Sequence, residues 1–265
     1  MLRRTSEPDI RASGTPSRGS GSEDGISLFL PAFNEEQNVS FMVSRASEVL
    51  ERLGAEWEII VVDDGSTDST PRIVEELSGR DPRIRLVSHG RNLGFGMAVR
   101  SGISAARLGW VFYTDCDGQF DLDDLERFWC ARDSCDIISG YRRRRRDPGL
   151  RLLYSLLYNS MAWVMFWGGF KDVDASFKLY RRSVFDRVRP RSTSGVVDLE
   201  ILLLARGMGF RIRQMPVSHL PRRAGSVSFE TFRHGFLAWV RISAIVQMFV
   251  QLVSLRLRTL RGDVR

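Results

Sequence analysis

The amino-acid sequence predicts an α/β fold, a mostly parallel sheet flanked by helices. Three observations carry that prediction. Short runs rich in β-branched and aromatic residues recur at 26–31, 57–62, 83–88, 108–114 and 136–140. Segments with apolar residues at helical spacing separate them, and such alternation builds parallel strands joined by right-handed crossovers. Trp57-Glu58-Ile59-Ile60-Val61-Val62 is also nearly continuous in apolar residues, the mark of a strand covered on both faces. With 265 residues, 43% apolar and 27% charged, the chain is long enough for one large core.

Taken in order, Ile26-Ser27-Leu28-Phe29-Leu30-Pro31 opens the sheet. Asn34 is expected to cap a helix whose Val39, Met42, Val43, Ala46, Val49, Leu50 and Leu53 share a face. The strand at 57–62 ends in Asp63-Asp64-Gly65-Ser66. A helix from about Ser69 to Leu77, a strand Arg83–Ser88 and a helix from about Gly94 to Ala106 follow. Gly94-Phe95-Gly96 supplies only two of the three glycines of a dinucleotide fingerprint, and no βαβ unit opening the chain accompanies it. It reads instead as a close backbone approach at a helix start near phosphate or base. After the strand Leu108–Thr114, Asp121 is expected to cap a helix Leu122–Cys130, and Asp136–Gly140 forms the next strand.

Asp115-Cys116-Asp117-Gly118-Gln119 emerges from the carboxyl end of the strand at 108–114, the place where open α/β sheets bind ligands. Two hard oxygen ligands at that spacing suit Mg²⁺ or Mn²⁺ bridging a diphosphate, because such a cation takes one or two carboxylates and keeps its remaining positions for water and phosphate. The competing reading is a solvated acidic loop.

Charge divides the chain. Residues 25–140 hold 11 Arg against 20 Asp and Glu, whereas 141–191 hold 13 basic residues against 4 acidic and 206–265 hold 11 against 2. An acidic half with a metal site and a basic half rich in Trp, Phe and Leu fit a nucleotide-sugar pocket beside an anionic membrane surface. Nucleic acid is the competing partner. The arginines interleave with long apolar runs, and no helix-turn-helix or zinc-finger spacing appears, so no nucleic-acid partner is expected. Cys116, Cys130 and Cys135 are odd in number and fit no metal spacing, as for reduced thiols of a cytosolic protein.

Three flanking regions complete the domain reading. Residues 1–25 are poor in apolar groups and are expected to be a disordered tail without a secretory signal. Nineteen uncharged residues, Leu152 to Phe170, are long enough to span a bilayer. Spanning would separate the acidic motif at 115–119 from the segment beginning at Asp172, so an interfacial helix at about 149–170 is the expectation. A second amphipathic helix is expected within 229–265. It lies on lipid, in the core, or against an integral membrane partner subunit.

Pro31-Ala32-Phe33-Asn34-Glu35, Val62-Asp63-Asp64-Gly65-Ser66-Thr67-Asp68, Asn92-Leu93-Gly94, Asp115-Cys116-Asp117-Gly118-Gln119 and Asp172-Val173-Asp174-Ala175-Ser176-Phe177-Lys178-Leu179-Tyr180-Arg181-Arg182 occur in the order and approximate spacing of family 2 glycosyltransferases. The chain resembles their dolichol-phosphate-mannose synthase, or polyprenyl-phosphate glycosyltransferase, branch over about residues 26–228. The resemblance implies a GT-A fold with a Rossmann-like sheet. It implies a metal-dependent, inverting transfer from a nucleoside-diphosphate sugar, GDP-mannose or a UDP-hexose, to a polyprenyl phosphate. The enzyme would sit peripherally on the cytoplasmic face of the cell membrane. A hydroxyl of a glycan or glycolipid is the alternative acceptor.

By the same resemblance, Pro31, Phe33, Glu35, Val62, Asp64, Asp115 and Cys116 border the nucleotide. For Asp64 a turn-capping role is an equal reading from the residues alone. Asp115, Asp117 and Gln119 would hold the metal, which acts as a Lewis acid on the leaving diphosphate. Arg142, Arg151, Arg222 and Arg223 are placed near acceptor or diphosphate, where guanidinium forks match phosphate geometry. A hydroxyl acceptor would need a general base, and Asp198, Glu200, Asp172 and Asp174 are the carboxylates available, with helix-start capping as the other reading of Asp198 and Glu200.

Overall fold

A computed structural model describes residues 11–12, 22–143, 169–224, 250 and 253–257. Its eight-stranded sheet comprises β1 (Arg11–Ala12), β2 (Ile26–Ala32), β3 (Trp57–Asp63), β4 (Ile84–Ser88), β5 (Trp110–Thr114), β6 (Ile137–Arg142), β7 (Phe177–Arg181) and β8 (Ile212–Val217). The strand order is β1-β4-β3-β2-β5-β7-β6-β8. Helices α1 (Val39–Leu53), α2 (Thr70–Arg80), α3 (Phe95–Ala105), α4 (Asp124–Ala131), α5 (Val184–Arg187) and α6 (Val197–Gly207) connect and cover it.

Strand alternation explains the two-sided core. Leu28 and Leu30, Ile59 and Val61, and Trp110 and Phe112 pack with α1 and α4. Their sequence neighbours Phe29, Ile60, Val62, Val111 and Tyr113 pack on the other face with α3 and α6, as a side-chain period of two requires. Leu255, in the helical turn at 253–257, is fully buried in this second cluster. The expectations for 149–168, 229–249, 251–252 and 258–265 lie outside the described residues, as does Arg151. Among the described residues no helix is long and apolar enough to cross a membrane.

β2, β3, β4 and β5 are parallel as expected. The sheet departs from the simple alternation at β7, which inserts antiparallel between β5 and β6. No strand is expected from the sequence at β7 or β8, nor at β1, whose Arg11–Ala12 pairs with β4 from within the stretch expected to be a disordered tail. In β8, Ile212–Val217, only Met215 and Val217 are buried, and Pro216 falls within it, which an edge position tolerates.

Two expected helix caps are corrected. Asn34 adopts a left-handed φ of 55°, and α1 starts four residues beyond the expected cap region, with Asn38 at its N-cap. Asp121 precedes α4 by three residues and accepts a 3.1 Å bond from the Asp123 backbone N–H, because the chain first makes a turn there.

Candidate active site

Strand direction gathers the site. β2, β3, β5, β6 and β8 all end at one sheet edge, and antiparallel β7 begins there, with Phe177 paired to Thr114. Five segments therefore meet: 33–36, 63–70, 115–119, 172–176 and 218–224.

The first two segments form one unit. The backbone N–H of Asn34 donates to Ser66 Oγ at 2.9 Å, and Thr67 N–H donates back to Asn34 Oδ1 at 2.8 Å. Glu36 N–H bonds Asp68 Oδ2 at 3.1 Å, while Ser69 N–H bonds Glu36 Oε2 at 3.0 Å. These reciprocal bonds explain the left-handed Asn34, whose short polar side chain tolerates that conformation. Pro31 and Phe33 remain partly exposed along this unit. Val62 is fully buried with α3, so its backbone rather than its side chain borders the loop.

Asp64 is a hub. Its carboxylate accepts bonds from the backbone N–H groups of Leu93 and Gly94, each at 2.9 Å, and meets His89 Nδ1 at 2.7 Å. The 64–70 loop is thereby tied to the glycine-containing start of α3. Gly96 N–H in turn donates to Thr193 O at 3.0 Å, so the close approach expected of these glycines is to the 192–194 segment.

Asp115 and Asp117 follow β5 directly. Ser176 hydrogen-bonds Asp115, while burial and then the charge of Asp117 push the Asp115 carboxyl up to about 7. Asp115 is thus a buried carboxyl whose neighbouring negative charge is Asp117, two residues on. Asp117 Oδ1 accepts from the Gln119 N–H at 3.0 Å, and Gln119 itself is buried. Among the described residues no group of three His, Cys, Asp or Glu side chains is arranged to hold a metal. The donor set fits a hard divalent cation that completes its shell with phosphate and water. Cys116 points into the core against α1, and burial raises its thiol far above the usual range.

The 218–224 segment closes over this motif. Leu220 N–H donates to Gln119 O at 2.7 Å. Arg222 reaches Asp117 Oδ2 at 3.3 Å and Glu35 Oε1 at 2.5 Å, and its Nε donates to Ala224 O at 3.0 Å. Asn38 Nδ2 donates to the other Glu35 oxygen at 2.6 Å and to Ala224 O at 3.0 Å. Arg223 stacks on Phe41, its guanidinium carbon 3.7 Å from the ring centroid.

Arg142 is buried in a fork with Asp172, at 2.8 and 2.9 Å, and reaches Asp174 at 3.0 Å. Asp198 lies beneath the acidic motif, 2% exposed, between Lys178 Nζ at 3.3 Å and the Tyr113 hydroxyl, which donates to it. Burial raises its carboxyl, with Lys178 opposing. Glu200, also 2% exposed, accepts from the Arg191 and Ser192 backbone N–H groups at 2.9 and 2.7 Å.

Comparison with known proteins bears on this site. The model of glycosyl transferase family 2 matches residues 27–189. The chain belongs to glycosyl transferase family 2. It is 28% identical over 260 residues to a dolichyl-phosphate beta-glucosyltransferase of Trichomonas vaginalis, covering 91% of this chain and 73% of that one. It is 31% identical over 224 residues to a dodecaprenyl-phosphate galacturonate synthase of Rhizobium johnstonii, covering 78% of this chain but only 63% of that relative. Among solved structures, mannosyl-3-phosphoglycerate synthase from Rubrobacter xylanophilus aligns with TM-score 0.66 at 19% identity, over 90% of this chain and 75% of that one. Glucosyl-3-phosphoglycerate synthase from Mycobacterium tuberculosis, solved with Mn²⁺, UDP and phosphoglyceric acid, aligns with TM-score 0.64 at 19% identity, over 89% and 78%. These structures share the GT-A fold, and this family 2 protein is a glycosyltransferase.

The sequence motifs include Ser176 and Lys178 without a role for either, and Asn38 and His89 fall outside them. A signal for Lys178 was present. It is one of two lysines in the chain and interrupts the apolar run Phe177-Lys178-Leu179-Tyr180, where a charge must be paired.

Proposed function

We propose that this family 2 glycosyltransferase moves a hexosyl group from a nucleoside-diphosphate sugar to a polyprenyl phosphate, with inversion, on the cytoplasmic face of a membrane. The observation that carries this reading is the Asp115–Asp117 pair, at the edge where the sheet gathers its loops and beside Arg222. The polyprenyl-phosphate acceptors in the names of the relatives support the acceptor class.

In this reading Asp115 and Asp117, with Gln119, hold Mg²⁺ or Mn²⁺, which when bound stabilises the negative charge of the departing diphosphate. The interlocked 33–36 and 63–70 loops form the nucleoside floor, with Pro31, Phe33, Glu35 and Asp64 along it. A direct contact from Asp64 exchanges one of its present bonds for a ligand bond. Arg222 and Arg223 face the phosphates of donor and acceptor. An ionised lipid phosphate is already a nucleophile, so no side chain need remove a proton. The burial of Asp198 and Glu200 fits that economy, since neither is exposed to accept one. Membrane attachment rests on the basic, apolar flanks, through lipid or an integral partner subunit.

The test is incubation of purified protein with UDP- and GDP-sugars, Mg²⁺ or Mn²⁺, and either a polyprenyl phosphate or a neutral glycolipid, followed by mass analysis. A phosphodiester-linked polyprenyl sugar supports the reading. Exclusive glycosylation of the neutral hydroxyl acceptor replaces it.

A further inference from the structure

The guanidinium of Arg222 bridges two carboxylates, Asp117 at 3.3 Å and Glu35 at 2.5 Å, with all three side chains largely buried. Exposures of 17% for Arg222, 11% for Glu35 and 10% for Asp117 leave little water to screen them. Burial raises the Glu35 carboxyl despite the opposing Arg222 and Asn38 contacts, so this is a costly place for an uncompensated negative charge. The arrangement is closed by Asn38, which bonds both Glu35 and the Ala224 carbonyl that Arg222 also bonds.

We infer that Arg222 is a built-in substitute cation, seated on Asp117 when no donor is bound and exchanged for the divalent ion when nucleotide diphosphate arrives. The inference rests on the proposed role of Asp117 as a metal ligand. A divalent ion entering alone must displace or repel the guanidinium, which then has no new anion to meet. With a diphosphate present, the displaced guanidinium gains phosphate oxygens, whose geometry it fits. Metal and nucleotide binding are thereby coupled: each is weak alone and strong with the other, and the coupling is reciprocal. The seat keeps the carboxylates compensated between turnovers and disfavours metal capture without substrate.

The experiment is titration of Mn²⁺ by electron paramagnetic resonance, which reads free ion and needs no turnover. It is run on wild type, Arg222→Gln, Arg222→Lys and Asp117→Asn, without nucleotide and with UDP or GDP, fold being checked by circular dichroism. The expected result is that Arg222→Gln binds Mn²⁺ alone roughly ten-fold more tightly than wild type, the scale of one lost charge-assisted contact. Its nucleotide enhancement should shrink correspondingly, while Arg222→Lys, which keeps the charge, stays nearer wild type. Equal or weaker binding of Mn²⁺ alone to Arg222→Gln overturns the inference, as does binding to both proteins only when nucleotide is present. Asp117→Asn separates the two levels. If it retains wild-type Mn²⁺ affinity, the ion sits elsewhere and the metal-site reading itself fails.

Discussion

Lys178 Nζ stands 3.3 Å from Asp198 Oδ2, with the lysine side chain fully buried and the aspartate nearly so. The same Nζ donates to the carbonyls of Val173 and Ala175 at 3.1 and 2.5 Å, and Asp198 accepts from Tyr113, so both charges are well partnered. This pair links β7, α6 and β5 directly under the acidic motif. Removing one member leaves a buried charge uncompensated, whereas removing both removes the problem.

Lys178→Met is accordingly expected to cost about 3–5 kcal/mol of stability, and Lys178→Met with Asp198→Leu appreciably less. Urea unfolding of the two variants and wild type measures this. Additive losses in the double variant would contradict the paired-charge account.

Asp117→Ala is expected to lower turnover by at least about 10²–10³-fold, because in the proposed mechanism it deletes a ligand of the ion that would stabilise the leaving diphosphate. Folding should survive, since Asp117 lies in a loop beyond β5. The check is kcat with a circular dichroism melt, alongside wild type in EDTA. Near-normal turnover by chelator-treated enzyme would count decisively against the metal role.

Glu200→Gln is expected to reduce turnover by less than about ten-fold, because its oxygen still accepts the Arg191 and Ser192 N–H bonds; loss of a general base costs about 10²–10⁴-fold. Arg223→Ala is expected to raise the acceptor KM more than the donor KM. Steady-state kinetics on one polyprenyl phosphate compares them. Collapse of Glu200→Gln with an unaffected Arg223→Ala would transfer the argument to a hydroxyl acceptor.

Gly65→Ala is expected to cost about 1–3 kcal/mol and weaken donor binding. Gly65 has φ 75°, and an added Cβ would lie 2.2 Å from the Arg91 carbonyl carbon, a backbone atom with nowhere to retreat. Thermal melts with and without UDP or GDP read both effects. A wild-type melt and undiminished nucleotide stabilisation would rule this out.

The protein is expected to sediment with anionic vesicles and to be partly released by high salt, since the 141–191 and 206–265 segments are strongly basic. Flotation with phosphatidylglycerol and phosphatidylcholine vesicles tests this. Equal binding to both lipids, insensitive to salt, would exclude an electrostatic contribution.

The local chemistry of this chain was legible in its sequence. Strands such as Trp57–Asp63 and Trp110–Thr114, and the acidic loops that leave them, follow from apolar runs and their terminating residues, because backbone propensity and side-chain period act over a few positions. Tertiary structure decided which of those groups are spoken for. Asp64 binds His89 and two N–H groups after β4, Glu200 holds 191–192, Arg142 meets Asp172, and Arg222 crosses 105 residues to Asp117. It also decided that β7 runs against β5, which brings Ser176 to Asp115. Such pairings depend on chain crossings between distant segments, and a charged residue in a sequence carries no mark of the partner that burial will require of it.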